Sequence, residues 1–324
     1  MLKVVSLFAG CGGADRGMIG DFTFNDKKYE KLPYELVYAL DIDQKAINTH
    51  KLNFDCRDVV IGDIREVCET TIPDHDVLVG GFPCQSFSTV NPTKDPTDDR
   101  ANLYKEMVRI VNAKKPKVFI AENVKGFMTL QKGKILERVK KAFEEVGYTI
   151  SYRLINAAEY GVPQRRERVF LVGVRNDLDI EFSFPDPTTP ESPVPLSVAV
   201  PKLAIDEQKY YFSERAVQGM KNAKNNMKRG LAQNLDEPCL TITSHLAKVS
   251  LNSRDPVLLV DPEKEVYRRF TPREAARIQS FPDCFEFAGS EADAYRQIGN
   301  AIAPVMFWHI SKSVAETLGA KASH

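Results

Sequence analysis

Cys84 is the residue on which reactive chemistry can be built. It stands in Gly80-Gly81-Phe82-Pro83-Cys84-Gln85-Ser86, directly after the apolar run Asp76-Val77-Leu78-Val79. That run reads as a buried strand of a parallel sheet. Two glycines let the backbone turn sharply, and Pro83 fixes its own φ and restricts Phe82 before it. The thiol is thereby presented at a rigid strand-to-loop corner, where open α/β sheets place their chemistry. As a thiolate it is a nucleophile; the other reading is a small apolar residue packed under a turn, since a thiol reacts only in an activating environment.

Other groups of the right type recur at strand ends. Lys117-Val118-Phe119-Ile120-Ala121 reads as a buried strand that delivers Glu122-Asn123-Val124. A carboxyl beside a nucleophile's strand is an acid/base candidate, because burial raises its pKa toward neutrality; a helix cap or a surface acid is the alternative. Gln164-Arg165-Arg166-Glu167-Arg168 leads into Val169-Phe170-Leu171-Val172-Gly173-Val174. Alternation puts Arg166 and Arg168 on one face, fit for a phosphate or for a base carbonyl and a carboxylate, or else for a solvated basic edge. The first strand, Lys3–Phe8, runs into Ala9-Gly10-Cys11-Gly12-Gly13 and a helix, a turn that lets a ligand approach the backbone. The strand Tyr34–Leu40 ends in Asp41, placed to accept from ribose hydroxyls, and Val59–Gly62 ends in Asp63, placed for an exocyclic amine. Either acid also suits a helix cap. Together these three loops describe an adenosine-type site.

The elements that must position these groups alternate strand and helix, as in a doubly wound α/β sheet. The polar stretch Asp21–Lys31 reads as a loop insertion. Helices are expected over Asn102–Lys114, Lys132–Val146 and Pro304–Leu318, and Thr271-Pro272-Arg273-Glu274 carries the signature of a helix start. Ser86–Asp99 is turn-rich and reads as a surface loop able to close over a site. From Asn176 the prolines 185, 187, 190, 193 and 195 mark a boundary. The irregular region beyond holds the basic, amide-rich run Lys221–Arg229, suited to phosphates and base edges or to a solvated helix face.

At 324 residues the chain can bury a large core, most simply as one large and one smaller domain. Its six cysteines are scattered without Cys-x-x-Cys or a Cys/His cluster, which points to a reducing cytosol and no structural zinc. No apolar run reaches the ~18 residues of a membrane span, and the first residues enter a strand without a signal-peptide layout. Net charge is zero, so affinity for nucleic acid must come from local patches.

Taken in order, Phe8–Gly13, Asp41, Asp63, Gly81–Ser86, Glu122-Asn123-Val124, Gln164–Arg168, Arg269–Pro282 and Gly299-Asn300 resemble the DNA (cytosine-5)-methyltransferases. The resemblance spans the chain except about residues 180–265. It implies an S-adenosylmethionine-dependent methyltransferase fold, with residues 1–180 plus 295–324 catalytic and 181–294 a smaller target-recognition domain. It also implies S-adenosylmethionine held by Phe8, Ala9, Gly10, Cys11, Gly12, Gly13, Asp41, Ile42, Asp63, Ile64, Pro83, Leu103, Asn300 and Ala301. Cys84 would be the nucleophile, with Glu122, Arg166 and Arg168 around the target base. Ser6, Ala101 and Ala301 depart from the residues usual there; none removes a catalytic group.

The implied partner is double-stranded DNA, methylated at carbon 5 of a flipped-out cytosine. The enzyme would be a cytoplasmic monomer of bacterial or phage type, with no metal and no membrane, beside a separate cognate restriction endonuclease. The alternatives are a tRNA cytosine-5 methyltransferase, in which Pro-Pro-Cys-Gln is usual where this chain has Phe82-Pro83-Cys84-Gln85, and a catalytically silent DNA-recognition module. A nicotinamide dehydrogenase is disfavoured because Gly-x-Gly-x-x-Gly does not follow the first strand.

Overall fold

The computed structural model describes residues 1–83, 103–221, 232–248 and 255–319. Cys84, the stretch Ser86–Asp99 and all but the first residue of Lys221–Arg229 lie outside the described residues. In chain order the elements are β1 (Leu2–Leu7), α1 (Gly13–Ile19), β2 (Phe22–Phe24), β3 (Lys27–Tyr29), β4 (Tyr34–Asp41), α2 (Gln44–Asn53), β5 (Asp58–Ile61), β6 (Val77–Gly80) and α3 (Leu103–Lys114). There follow β7 (Val118–Val124), α4 (Lys134–Glu144), β8 (Tyr148–Asn156), β9 (Gln164–Arg165), β10 (Glu167–Arg175) and α5 (Glu214–Lys221). The last are β11 (Cys239–Leu240), β12 (Leu258–Asp261), β13 (Val266–Arg268), α6 (Pro272–Ile278), α7 (Glu291–Asn300) and α8 (Pro304–Thr317).

Seven strands form one sheet in the order β5-β4-β1-β6-β7-β10-β8. The pairs from β5 to β7 are parallel, whereas β10 runs antiparallel between β7 and β8. The near-continuous apolar runs follow from this: β6 is buried at all four positions because helices cover both of its faces. On one face Val4, Val79, Ile120 and Phe170 pack with α1 and α8; on the other Val5, Leu78, Phe119 and Leu171 pack with α3 and α4. The fold is thus the expected doubly wound, mostly parallel α/β sheet.

α8 is seated on the opening segment of the chain. Its Trp308 indole donates to Glu30 O at 2.9 Å, and the Tyr34 hydroxyl donates to Ser311 O at 2.7 Å. Asp21–Lys31, expected as a loop, is instead the hairpin β2–β3. Phe22, Phe24 and Tyr29 are buried against α8's side of the sheet, and Asn25 and Asp26 both take the positive φ of a tight hairpin turn. α4 starts at Lys134 rather than Lys132 because Gln131 and Lys132 are left-handed, with φ of 49° and 58°. None of the described helices is long and apolar enough to cross a membrane.

A third core gathers Leu196, Cys239, Ile242, Leu258, Phe270, Phe281 and Tyr295 with Cys11 and Ala301. α6 opens with the predicted cap: Thr271 accepts from Glu274 N, and Glu274 accepts from Thr271 N. The division expected between residues 294 and 295 falls inside α7, which is one continuous helix whose Ala294, Tyr295 and Ile298 all face this third core.

Candidate active site

β1 and β6 lie side by side at the point where the chain reverses its order across the sheet, so a crevice opens beyond their C-terminal ends. A cavity of about 690 Å³ occupies it. One end is walled by Phe8, Ala9, Gly10 and Cys11 of the turn after β1 and Gly13 at the start of α1, by Asp41 and Ile42 at the end of β4, and by Asn300 and Ala301 at the end of α7. The other end is walled by Gly81, Phe82 and Pro83 after β6, by Glu122 and Asn123 of β7, and by Arg166 and Arg168.

Asp41 organises the first end. One carboxylate oxygen accepts from Gly10 N and the other from Asp43 N, each at 2.8 Å. Burial pushes this carboxyl above the usual aspartate range, and the two N–H donors pull against it. Phe8, with φ of 55°, bends the chain out of β1 in a conformation that non-glycine residues adopt rarely, a local strain that the surrounding turn holds in place. Ile42 is 68% exposed although apolar, and it stands in the cavity wall. Beside it Asp43 caps α2 and pairs with Arg296 at 3.2 Å.

At the second end, Glu122 Oε1 lies 3.0 Å from Arg168 Nε, with both side chains largely buried. Burial pushes the Glu122 carboxyl up, although Arg168 and Arg166 both oppose the shift. Burial also lowers Arg168, with Glu122 opposing. The segment that leads to Cys84 runs directly past this pair: a Cβ at Gly81 would come 3.2 Å from Glu122 Oε2, a tight contact that the carboxylate would have to ease by moving a few tenths of an ångström. Asn123 Nδ2 donates to Phe82 O at 3.0 Å and fixes the same segment from below. Arg166 is nearly fully buried, and its Nη atoms donate to three backbone carbonyls, those of Ile242, Gly299 and Ala301.

Four expected cofactor residues are not among those lining the cavity. Gly12 sits behind the turn against the Phe54 ring. Asp63 turns its carboxylate to Arg65, which holds it below the usual range. Ile64 is buried in the sheet core, and Leu103 packs against that same core. Cys84 lies outside the described residues. Asn123 and Arg296 join the site without having been singled out. The polar residue after Glu122 at a strand end was a readable signal for the first; for Arg296, only the packing of α7 against α2 reveals it.

A model of the C-5 cytosine-specific DNA methylase family matches residues 2–316. The Type II methyltransferase M.NgoFVII of Neisseria gonorrhoeae is 35% identical over 344 aligned positions, covering 96% of this chain and 86% of that protein. M.NlaX of Neisseria lactamica, also a Type II methyltransferase, is 33% identical and covers 99% and 98%. A solved putative DNA modification methyltransferase encoded within a prophage (E. coli) shares the fold, with TM-score 0.75 at 24% identity over 98% of this chain and 100% of that one. By the family match over nearly its whole length and the identity to these relatives, this chain belongs to the C-5 cytosine-specific DNA methylases.

Proposed function

We propose that the chain transfers a methyl group from S-adenosylmethionine to carbon 5 of a cytosine, flipped out of a specific short duplex sequence, through a covalent adduct of Cys84. The observation that carries this reading is the single cavity joining the glycine-rich turn and Asp41 at one end to the Glu122–Arg168 pair at the other. The residues present fit the cofactor. Each Asp41 oxygen accepts one backbone N–H and keeps capacity to accept from a ribose hydroxyl. Ile42 offers an exposed apolar surface to the adenine, and Phe8, Gly10, Gly13, Pro83, Asn300 and Ala301 complete the wall. Asp63, Ile64 and Leu103 take no part in this reading.

When bound, S-adenosylmethionine supplies a methyl group made electrophilic by its sulfonium. Carbon 5 of cytosine is a poor nucleophile until carbon 6 carries an added group. The Cys84 thiolate adds there, while Glu122 donates a proton or hydrogen bond at ring nitrogen 3, so that electron density collects at carbon 5. Burial pushes the carboxyl up, which makes it more readily protonated, as a group that donates here must be. Arg168 holds the base carbonyl oxygen. After transfer, departure of the carbon-5 proton and of Cys84 restores the aromatic ring. Neither carbon can be reached in a stacked duplex, so the base leaves the stack, and the region from about residue 181 to α7 reads the flanking DNA. The enzyme acts as a monomer in a bacterial cytosol, beside a separate restriction endonuclease. A tRNA substrate is not favoured by a family of DNA methylases.

The test is tritiated methyl transfer from S-adenosylmethionine to duplex DNA, with tRNA in parallel, followed by bisulfite sequencing. Methylation confined to one short duplex motif is expected. Label on tRNA alone would replace the substrate, and label on neither nucleic acid would overturn the reading.

A further inference from the structure

The resemblance places Arg166 beside the target base, but its guanidinium is engaged elsewhere. Nη2 donates to Gly299 O and Ala301 O, both at 3.0 Å, and Nη1 donates to Ile242 O at 3.2 Å. We infer that Arg166 is a positioning residue: it caps the C-terminal end of α7 and ties Gly299–Ala301, the last residues of that helix and its C-cap at the cofactor end of the cavity, to residues 242–244 of the DNA-reading region. This rests on the function proposed above.

Three features support it. The last carbonyls of a helix have no intrahelical partner and carry the negative end of its dipole, so a buried cation there is favoured on both counts. The two carbonyls that flank Asn300 are both turned inward onto Arg166, while Asn300 itself is exposed and lines the cavity. The bonds also close a ring. Ile242 N donates to Gln164 Oε1 at 3.0 Å, Gln164 donates to Gln279 Oε1 at 2.5 Å, and Gln279 donates to Ala301 O at 2.5 Å; Arg166 then joins Ala301 O to Ile242 O. Gln164 and Gln279 are fully buried and Arg166 nearly so, and in such a network a missing member strands the others.

The end of α7 and the DNA-reading segment also touch backbone to backbone. A Cβ at Gly299 would lie 2.3 Å from both Thr243 C and Ser244 N, so no side chain separates them. Any shift of residues 242–244 on DNA is therefore felt at Asn300, and cofactor and DNA must alter each other's affinity by the same factor.

The test is calorimetric titration of S-adenosylhomocysteine into the full chain, as wild type, Arg166→Lys and Gln279→Met. It is run without DNA and then with a duplex carrying the methylated motif. Both variants are expected to bind S-adenosylhomocysteine about tenfold more weakly with no DNA present, and the ratio of affinities with and without DNA should fall toward one. A group that only contacted the base would leave the DNA-free affinity unchanged, which overturns the inference. So does a weakening equal in both conditions, the signature of general loss of structure. If Arg166→Lys does not fold, Gln279→Met, which keeps Arg166 and acts on the same carbonyl, decides by the same two criteria. Failure of the wild type to bind S-adenosylhomocysteine would instead overturn the proposed function.

Discussion

Replacing Glu122 by Gln separates proton donation from shape. In the wild type the carboxyl is raised by burial, and its protonated form is the one that can donate to ring nitrogen 3. The rate should therefore fall as pH rises through that raised pKa, giving kcat/KM a descending limb. Glutamine keeps the size and can offer an N–H, but it neither titrates nor yields a proton. General acid catalysis of this kind is worth ~10²–10⁴ in rate, or about 3–5 kcal/mol of barrier. The substitution also removes the carboxyl that pairs with Arg168 at 3.0 Å whenever Glu122 is ionised. Breaking a fully buried pair costs ~3–5 kcal/mol; here the side chains are 15% and 13% exposed, which places the cost at or below the lower end. Arg168 keeps its bond to Glu167 O, so the variant should stay folded. The assay is tritium transfer across pH, with thermal melting on the same samples. A loss below about tenfold in a folded variant would refute the reasoning, as would a variant that keeps the descending limb.

Cys84→Ser should abolish methyl transfer and leave S-adenosylhomocysteine binding intact by calorimetry; lost cofactor binding would make Cys84 structural. Asp41→Asn has one acceptor oxygen where two backbone N–H groups now meet two. It should lose one charge-assisted hydrogen bond, ~1.5–3 kcal/mol, and weaken cofactor binding about 10- to 100-fold; an unchanged affinity would put the cofactor elsewhere. His309 is buried among Tyr29, Tyr160 and Trp308, and burial, helped by Lys27 and Lys312, holds it down to about 4. The unfolded chain takes up a proton at this residue below about pH 6.5 while the native state does not, so stability falls as pH drops from there to about 4. At pH 5 the loss is about 2 kcal/mol. In His309→Phe the difference in urea stability between pH 8 and pH 5 should shrink by that amount, and an unaltered difference would sink the assignment.

The sheet was legible because buried parallel strands leave unbroken apolar runs such as Val77-Leu78-Val79, each ending in a glycine or an acid. Direction was not: Val169–Val174 looks like any buried strand, and only pairing with β7 and β8 makes it antiparallel. The hairpin β2–β3 was missed because the lysines and acids of Asp21–Lys31 outweigh the few aromatic residues that are buried. In the site, Asp41 and Glu122 could be read from strand-end position, which fixes where a side chain emerges, and Arg168 from alternation, whereas Ile42 came only from the family resemblance. Whether a strand-end acid faces a ligand or a neighbour is a tertiary fact: Asp63 meets Arg65, two residues on, and does not line the cavity. Alternation set Arg166 with Arg168 on one face, but it cannot show that three carbonyls from residues 242, 299 and 301 converge on one of them.

The seating of α8 on the opening segment has a consequence for how the enzyme comes into being. Phe8–Gly13 and Asp41 are synthesised well before Asn300 and Ala301, so the wall they share cannot exist until the chain has been translated through Ala301. A nascent chain halted before α7 holds the glycine-rich turn and Glu122 but not the other side of the pocket, and the surface meant for Trp308 and Ser311 stays bare. Closing so wide a loop is slow and must precede any methylation. Competence for methyl transfer therefore trails synthesis of the glycine-rich turn by the time α7 and α8 need to be made and to fold back onto it.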